Sequence, residues 1–252
     1  TEIFKTLNLK FLFLRLTYMG KILIIGANGA VGQACVTKLA NKELVLISRS
    51  KFDDDTDNST QITKHVLNIN DYDKTSDFVN NIDYKISGII FAIGSIALKP
   101  FSSTSVEDFK KLMDDNFYNV VNFLNLSINK FEEGSSVVFF STIASIRGFK
   151  NHAGIASAKS AIIGLSNSLA ADYAPKIRFN TISPSLSYSK MSEFITSNEK
   201  VAEGLGKLHP MSRIGKGEDI ASLASLLISP ESSWITGQNF SVDGGRSTLI
   251  TK

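Results

Sequence analysis

The stretch ILIIGANGAVG, residues 22–32, decides the fold. Its apolar run ends at Ile25, and glycines then recur at every third position. Glycine permits a tight turn and a close approach of the backbone to a pyrophosphate, and the N-terminus of a following helix attracts an anion. We therefore predict a strand, a nucleotide-binding turn and a helix, although glycines that only pack a helix on a strand would give the same spacing. The predicted cofactor-binding residues of this turn are Gly26, Asn28, Gly29, Ala30, Val31 and Gly32.

Outward from this stretch, short apolar runs alternate with segments of helical period. The apolar runs are KILIIG, ELVLIS, ITKHVL, ISGIIFAIG, SSVVFFST, KIRFNTIS and QNFSVDGG. The helical segments are residues 31–40, 72–82, 106–130, 154–173 and 218–228. Nearly continuous apolar strands separated by helices are typical of a parallel sheet that is covered on both faces. The pattern predicts a single α/β domain with a doubly wound parallel sheet.

The composition is that of an ordinary globular protein. Of 252 residues, 43% are hydrophobic and 20% are charged, and the net charge is +3. These values argue against disorder, collagen-like repeats and coiled coil, and the lack of a basic tract argues against nucleic acid as a partner. The single cysteine, Cys35, excludes an internal disulfide and a cysteine-based zinc site. We interpret Cys35 as a core residue, and we expect no metal and a reducing, cytoplasmic location.

The first residues do not fit the domain pattern. Residues 1–18 are apolar, but Lys10 and Arg15 interrupt the run and leave it too short to span a membrane. Their order of charged, apolar and small residues does not fit a secretory signal either. We expect Met19 to be the natural start, residues 1–18 to be a leader or an upstream-translated segment, and residues 19–252 to be the domain.

Two later segments also lack a regular pattern. Residues 51–59 are polar and acidic, and we interpret them as a loop or a single turn with a solvated face rather than a metal site. Residues 183–210 have no strong period and lie between a strand and a late helix. A segment of this kind in this architecture is a candidate lid over a ligand.

The end of the second strand bears on the choice of nucleotide. It reads VLISRS, and the position at which an acidic side chain would bind a ribose 2′-hydroxyl is Ser48. Arg49 and Ser50, which follow, can bind a 2′-phosphate instead. We therefore predict NADP(H) in preference to NAD(H); an exposed arginine without a ligand is the alternative.

Taken together, the motifs over residues 20–246 resemble those of the short-chain dehydrogenase/reductase family. The resemblance rests on GANGAVG, DNFYN, SSVVFFST, ASAKSAIIGLSNSLAADYA, IRFNTISPS, RIGKGEDIASLASLLIS and ITGQNFSVDGG. It implies a Rossmann-like sheet of seven strands, a nicotinamide cofactor, hydride transfer to or from a carbonyl or related carbon, and usually a homotetramer. It also implies a tetrad of asparagine, serine, tyrosine and lysine, in which the lysine lowers the tyrosine pKa and the tyrosine passes the proton.

Three of the four tetrad positions keep a polar side chain. The asparagine falls on Asn116, the lysine on Lys159, and the serine position on Thr142, whose hydroxyl can still donate to a substrate oxygen. The tyrosine position is Ile155. Isoleucine has no proton to give, and loss of a positioned general acid typically costs roughly 10²–10⁴ in rate. The resemblance therefore implies an oxidoreductase scaffold whose usual proton donor is missing.

The resemblance implies further cofactor contacts. The segment that reads NNAG in the family keeps only its glycine in this chain. An asparagine replaces the aspartate that lies near the adenine, and a serine replaces the threonine that contacts the nicotinamide carboxamide. The lysine of the tetrad also holds the nicotinamide ribose in the family. The implied cofactor-binding positions are Asn68, Ala92, Gly94, Lys159, Pro184 and Ser189.

Two other side chains are candidates for the missing proton donor. His152 precedes Lys159 by a spacing similar to that of the tyrosine in enoyl reductases of the family, and imidazole with a pKa of about 6.5 is a competent donor. A loop histidine that only precedes the helix is the alternative. Tyr188, in the candidate lid, is either a residue that swings over the cofactor or a surface aromatic.

Dienoyl-CoA reductases of the family also lack the motif tyrosine and keep the lysine. Their reaction collects charge on a thioester oxygen, which Thr142 and Asn116 could stabilise without giving a proton, while Ile155 would form an apolar wall. The alternative for Asn116 is local bonding to the backbone.

Three functions from different classes follow. The first is an NADP(H)-dependent oxidoreductase acting on a small carbonyl or activated alkene, with an enoyl- or dienoyl-thioester reductase as the variant within enzymes. The second is a catalytically silent NADP-binding regulatory or partner subunit, and the third is a structural subunit of a hetero-oligomer. The apolar faces of residues 106–130 and 154–173, which this fold usually pairs between subunits, predict a homodimer or homotetramer.

Overall fold

The computed structural model describes residues 20–52 and 61–250. The expected leader, the expected start at Met19 and the four aspartates of the 51–59 segment lie outside these ranges. Within them, seven parallel strands form one sheet in the order β3-β2-β1-β4-β5-β6-β7. The strands are β1 (Lys21–Ile25), β2 (Leu44–Ser48), β3 (Ile62–Val66), β4 (Ile86–Phe91), β5 (Phe131–Phe140), β6 (Ile177–Pro184) and β7 (Asn239–Val242). The doubly wound α/β sheet and its seven strands are confirmed.

Helices follow most of the strands and cover both faces of the sheet. They are α1 (Ala30–Lys38), α2 (Tyr72–Asn80), α3 (Val106–Met113), α4 (Asn119–Ser127), α5 (Ala153–Tyr173), α6 (Glu193–Thr196), α7 (Glu199–Gly206) and α8 (Gly217–Ile228). Short 3-10 turns lie at Phe101–Ser103, Ile128–Lys130, Ile143–Ser145 and Pro230–Ser232. Side chains cap several of the helices: Asp71 accepts from the first turn of α2, and Ser105 and Asp108 form a capping box at α3.

The two faces of the sheet bury two separate cores. On β1, Leu23 and Ile25 point into a core with α2, α4 and α5, whereas Ile22 and Ile24 point into a core with α1 and α8. Alternate side chains enter opposite cores, which explains why the strands read as continuous apolar runs. Cys35 of α1 is fully buried in the second core, and this burial raises the pKa of its thiol to about 12. The interpretation of Cys35 as a core residue is confirmed.

The sheet has a switch point at β1. This strand pairs with β2 on one side and with β4 on the other, so the connections that leave β1 and β4 diverge at the carboxyl edge. Ligands of doubly wound folds bind in the crevice that such divergence leaves. The glycine turn follows β1 and Gly94 follows β4, so both lie at this crevice. No helix in the described ranges is long and apolar enough to cross a membrane.

One prediction of local structure was wrong, and another was incomplete. Residues 106–130 are not one regular helix, because a π-helical turn, Asp114–Tyr118, separates α3 from α4. Such turns often mark functional sites, and this one carries Asn116. The candidate lid, residues 183–210, contains the short helices α6 and α7, which were not predicted.

Candidate active site

The turn after β1 needs its glycines for steric reasons. Gly26 has a φ of 90°, and a Cβ at this residue would clash with the Ala92 carbonyl oxygen. A Cβ at Gly32 would clash with the Gly26 carbonyl oxygen, so this glycine lets α1 pack against the end of the strand. The N-cap of α1 is Gly29, which has no side chain to satisfy the first N–H groups of the helix. The turn therefore presents open N–H groups and a helix dipole, which fit a phosphate.

Asn28 joins this turn to the end of β2. Its Nδ2 donates to the Ser50 hydroxyl at 3.1 Å and to the Lys51 carbonyl at 2.9 Å. Ser48 is buried, and its hydroxyl lies 3.3 Å from that of Ser50. Arg49 is exposed at the same end of β2. In this structure Asn28 and Ser50 therefore bind each other, and Arg49 is the side chain that extends into solvent.

A second set of amide contacts joins the β3–α2 connection to the π turn. Asn68 is exposed, and its Oδ1 accepts from the Asn70 N–H at 3.2 Å. The Asn70 side chain donates to Asp115 at 2.9 Å and accepts from Asn119 at 2.7 Å. Asn68, the expected neighbour of the adenine, thus lies on a loop that is tied to the neighbour of Asn116.

Asn116 and Lys159 converge on Gly94. A Cβ built on Gly94, whose φ is 152°, would lie 2.5 Å from the Asn116 Oδ1 and 3.1 Å from the Lys159 Nζ. The Asn116 Nδ2 donates to the Leu112 carbonyl at 2.9 Å and to the Ser95 carbonyl at 3.2 Å. Both of its N–H donors are therefore used by the backbone. Asn116 makes the local backbone bond that was its alternative interpretation, and it also holds the chain that follows β4.

Lys159 is a buried cation held by backbone carbonyls. Its Nζ donates to Phe140 O at 2.9 Å and to Ile93 O at 3.2 Å, at the carboxyl ends of β5 and β4. Its own carbonyl accepts from the Ser141 hydroxyl at 2.8 Å. No carboxylate of the described residues lies within 4 Å of the amine. Burial lowers the pKa of Lys159 to about 8, and one N–H of the ammonium group is left for a ligand.

Thr142 and Ile155 have different surroundings. The Thr142 hydroxyl accepts from the Ala144 N–H at 3.3 Å, so its own hydrogen is available to a substrate oxygen. Ile155 is 4% exposed and packs with Leu112 and Ala158. Ala97, Leu98 and Met113 pack against the same cluster. Ile155, at the expected tyrosine position, thus belongs to an apolar cluster.

The two alternative proton donors have other contacts. The His152 Nδ1 lies 2.7 Å from the Lys150 carbonyl, which assigns the ring proton to Nδ1, and the ring packs on Phe149 with centroids 5.6 Å apart. Neutral His152 then has an acceptor at Nε2 and gives a proton from that atom only as the imidazolium. Tyr188 is 45% exposed, and its backbone N–H donates to Gly215 at 3.0 Å. Neither side chain hydrogen-bonds Lys159 within the described part of the chain.

The expected nicotinamide contacts lie at the end of β6. Pro184 is the last residue of that strand, and the Ser189 hydroxyl lies 3.2 Å from the Ser192 hydroxyl. Ser192 in turn donates to the Ser187 carbonyl at 2.6 Å. The hydroxyl of Ser189 thus belongs to a local serine cluster at the base of the candidate lid.

Sequence reasoning missed a pair formed by Ser185 and the buried His209 next to this cluster. The Ser185 hydroxyl and the His209 Nε2 are 2.8 Å apart, and the His209 Nδ1 is 3.0 Å from the Leu205 carbonyl. Because a carbonyl only accepts, Nδ1 carries the proton and Ser185 donates to Nε2. Both residues line a cavity of about 220 Å³ between the end of β6 and α8. The partners are far apart in the chain, so no local pattern could have indicated the pair.

Comparisons with known proteins identify relatives of this chain. The family model described as Enoyl-(Acyl carrier protein) reductase matches residues 26–247. A chloroplastic tropinone reductase homolog of Arabidopsis thaliana is 28% identical over 240 residues, which are 89% of this chain and 74% of the relative. The short-chain dehydrogenase/reductase SDRA of the same plant is 33% identical over 154 residues, 60% of this chain and 59% of the relative.

A solved structure supports the fold. The short-chain dehydrogenase/reductase of Brucella melitensis, described as a glucose/ribitol dehydrogenase, superposes with a TM-score of 0.84 at 24% identity. The superposition covers 91% of this chain and 97% of that one.

Proposed function

Because the chain belongs to the short-chain dehydrogenase/reductase family, whose members are oxidoreductases that use nicotinamide cofactors, we propose that it is an NADP(H)-dependent oxidoreductase. Its substrate is a small apolar carbonyl or an activated alkene. The observation that carries the proposal is the convergence of Lys159 and Asn116 on Gly94, beside the glycine turn at the switch point of the sheet. A buried cation at the carboxyl edge of the sheet, where doubly wound folds bind ligands, supports the proposal.

The residues of the crevice fit a dinucleotide. The open N–H groups at the start of α1 would hold the pyrophosphate, and Arg49 would hold a 2′-phosphate. Asn68 would lie at the adenine, and the remaining N–H of Lys159 would hold ribose hydroxyls. Pro184 and Ser189 would lie at the carboxamide. When bound, the cofactor supplies or accepts the hydride.

The protein's own groups would stabilise charge without supplying the proton. Thr142 has a free hydroxyl hydrogen to donate to a substrate oxygen, and buried Lys159 brings a positive charge to the same edge of the sheet. Ile155 and its apolar neighbours would exclude water from one side of the substrate. An activated alkene suits these side chains, because hydride addition to the alkene gives an enolate that can take its proton from solvent. A simple ketone needs a proton at the oxygen itself.

A second function is favoured by the complete burial of Ile155. A chain that keeps the nucleotide crevice but fills the acid position with a packed isoleucine is also suited to binding NADP(H) without turnover. Such a protein would act as a regulatory or partner subunit.

Nucleotide binding is tested by fluorescence titration with NADPH and with NADH. We expect NADPH to bind more tightly, and we expect Arg49→Ala to weaken NADPH binding by about tenfold or more while NADH is unaffected. Lys42→Ala removes an exposed positive charge before β2 and serves as the matched control. Equal weakening of NADPH and NADH binding by Arg49→Ala would contradict the role of Arg49 at the 2′-phosphate. Binding of neither nucleotide to the natural chain would contradict both proposed functions.

Turnover is tested by NADPH consumption with ketones, quinones and enoyl thioesters. The oxidoreductase proposal predicts consumption with at least one class, and the enolate argument predicts that enoyl thioesters exceed matched saturated ketones. Tight NADPH binding without consumption across the whole panel would favour the silent subunit.

A further inference from the structure

Two arginines lie side by side at the rim of the candidate active site. Arg147 belongs to the connection between β5 and α5 that contains Thr142, and Arg246 belongs to the segment after β7. The Arg147 Nη1 donates to the Arg246 carbonyl at 2.6 Å. Burial and the charge of Arg147 lower the pKa of Arg246, and Asp243 partly opposes this shift. The two positive charges are therefore close enough to act on each other.

Both side chains are held in defined positions. The Arg246 guanidinium stacks on Phe149, with its central carbon 5.5 Å from the ring centroid, and His152 packs on the same ring. Arg147 uses one of its five N–H donors for the bond to Arg246, and a stacked guanidinium keeps its edge free. The pair thus offers several ordered N–H donors, and binding a ligand would cost little side-chain conformational entropy.

Neither guanidinium has a carboxylate partner within residues 20–52 and 61–250. Asp243, whose charge acts on Arg246, accepts instead from two backbone N–H groups of its own turn. Arg213 shows the contrasting arrangement, because it forms two bonds to Asp219, at 2.7 and 2.8 Å. The charge of Asp243 offsets the repulsion between the two arginines only in part, and an anion that bridges them would reduce it further.

The neighbours of the pair connect it to the cleft. The Lys99 N–H donates to the Asn151 carbonyl at 3.2 Å, so the chain after β4 meets the connection between β5 and α5. The Met211 N–H donates to the Gly244 carbonyl at 3.1 Å, so the segment that follows the candidate lid meets the chain after β7. The arginines therefore lie where the segments that surround the cleft come together.

We propose that Arg147 and Arg246 bind an anionic group of the substrate, a carboxylate or a phosphate, at the end remote from the reacting carbon. The substrate then has an apolar part that packs near Ile155 and an acidic terminus at the arginine pair. The role as a substrate site rests on the proposed function, whereas the capacity of the pair to bind an anion does not.

Phenylglyoxal, which modifies accessible guanidinium groups, tests the site on the full chain without turnover. The rate of modification of each arginine is followed by peptide mass spectrometry with inorganic phosphate, with glutarate and with neither, at constant ionic strength. We expect one of the anions to slow modification of Arg147 and Arg246 by about tenfold, with Arg213 unchanged. The protecting anion identifies the ligand as a phosphate or a carboxylate. Unchanged rates at Arg147 and Arg246 with both anions would overturn the proposal.

A matched pair of ketones tests the link to the substrate. Levulinate and 2-pentanone present the same methyl ketone with and without a carboxylate. We expect Arg147→Gln combined with Arg246→Gln to raise KM for levulinate about tenfold and to leave 2-pentanone unchanged, with Lys150→Gln as the control for loss of a nearby charge. Equal effects on both ketones would overturn the substrate role. Absence of turnover of both ketones in the unmodified chain would count against ketone reduction only, and the labelling result would still decide the anion site.

Discussion

At the scale of the residue, Ile155 is the position where a single substitution is most informative. Ile155→Tyr would place a hydroxyl one helical turn from Lys159, whose charge favours its ionisation. We expect ketone reduction to rise, by up to roughly 10²–10⁴, the usual contribution of a general acid. The measurement is NADPH consumption with saturated ketones.

The control for this substitution is Ile155→Phe, which adds the ring without the hydroxyl. Both variants overpack the cluster with Leu112, which costs about 1–3 kcal/mol of stability and can be compared by urea unfolding. An equal rate in the two variants would mean that the hydroxyl does not act as the acid and that the pocket itself differs from that of the family.

Lys159 predicts a dependence of stability on pH. Its pKa of about 8 in the folded chain lies below the ordinary 10.5, so between these values the unfolded chain binds more protons than the folded one. The free energy of unfolding therefore contains a contribution that rises with pH across this window, by about 3 kcal/mol in total. Cys35 and Tyr84, whose pKa values burial raises to about 12, contribute in the opposite direction.

Comparison with Lys159→Met isolates this contribution, because Cys35 and Tyr84 titrate in both proteins. Urea unfolding at fixed protein concentration gives the free energy at pH 7, 8, 9 and 10. We expect the difference between the natural chain and the variant to be flat up to about pH 8 and to increase above it in favour of the natural chain. Parallel pH profiles would contradict a lowered pKa.

The residues of the site were predictable where a local motif carries them. The spacing of Gly26, Gly29 and Gly32 predicts the turn, because the steric demand arises within a few residues. The contacts of Asn116 with Ser95 were not predictable, since they join chain segments that only the folded sheet brings together. The same holds for the pairing of Ser185 with His209.

At the scale of the element, the packing of α1 against α8 gives a test with an internal control. A Cβ at Gly217 would lie 2.5 Å from the Ala30 carbonyl oxygen, so Gly217→Ala should force the two helices apart and destabilise the chain by about 1–3 kcal/mol. Because Ala30 is the first residue of α1, directly after the proposed nucleotide-binding turn, NADPH binding should weaken as well. Urea unfolding and fluorescence titration measure the two effects.

Gly164→Ala is the matched substitution. Gly164 lies inside α5, and a Cβ there would meet nothing within 4 Å. Alanine should stabilise the chain by about 0.5–1 kcal/mol through its better helix propensity. Similar losses of stability in both variants would contradict the packing described for α1 and α8.

Elements with a strong period were predictable, and short ones were not. The strands and the long helices follow from apolar runs and helical spacing. The π turn at Asp114–Tyr118 contains Asn116, whose bond to Ser95 joins distant parts of the chain, whereas the local sequence reads as continuous helix. In α7, the Asn198 side chain accepts from the Val201 N–H, and this N-cap is a local signal that could have indicated the helix. Helix α6 has only four residues and no side-chain cap, so it offers no such signal.

At the scale of the whole molecule, self-association remains a prediction. Val106, at the start of α3, is 64% exposed in the single chain. This exposure is expected if a partner subunit covers the apolar face of residues 106–130. Light scattering should give a mass of at least twice 27.5 kDa. Val106→Glu should shift the equilibrium towards the monomer, whereas Val201→Glu, on α7, should not. A species of 27.5 kDa at every concentration would contradict the prediction.

The strand order has a consequence for how the chain can assemble during synthesis. As the chain emerges, β2 adds to β1, β3 adds to β2, β4 takes the other side of β1, and each of β5, β6 and β7 joins the strand before it. Within the described sheet, every new strand therefore finds a free edge, and none has to insert between two strands that are already paired. The sheet can grow outward in the order of translation, whereas the face of β1 that packs on α8 is covered only after Gly217–Ile228 has been made.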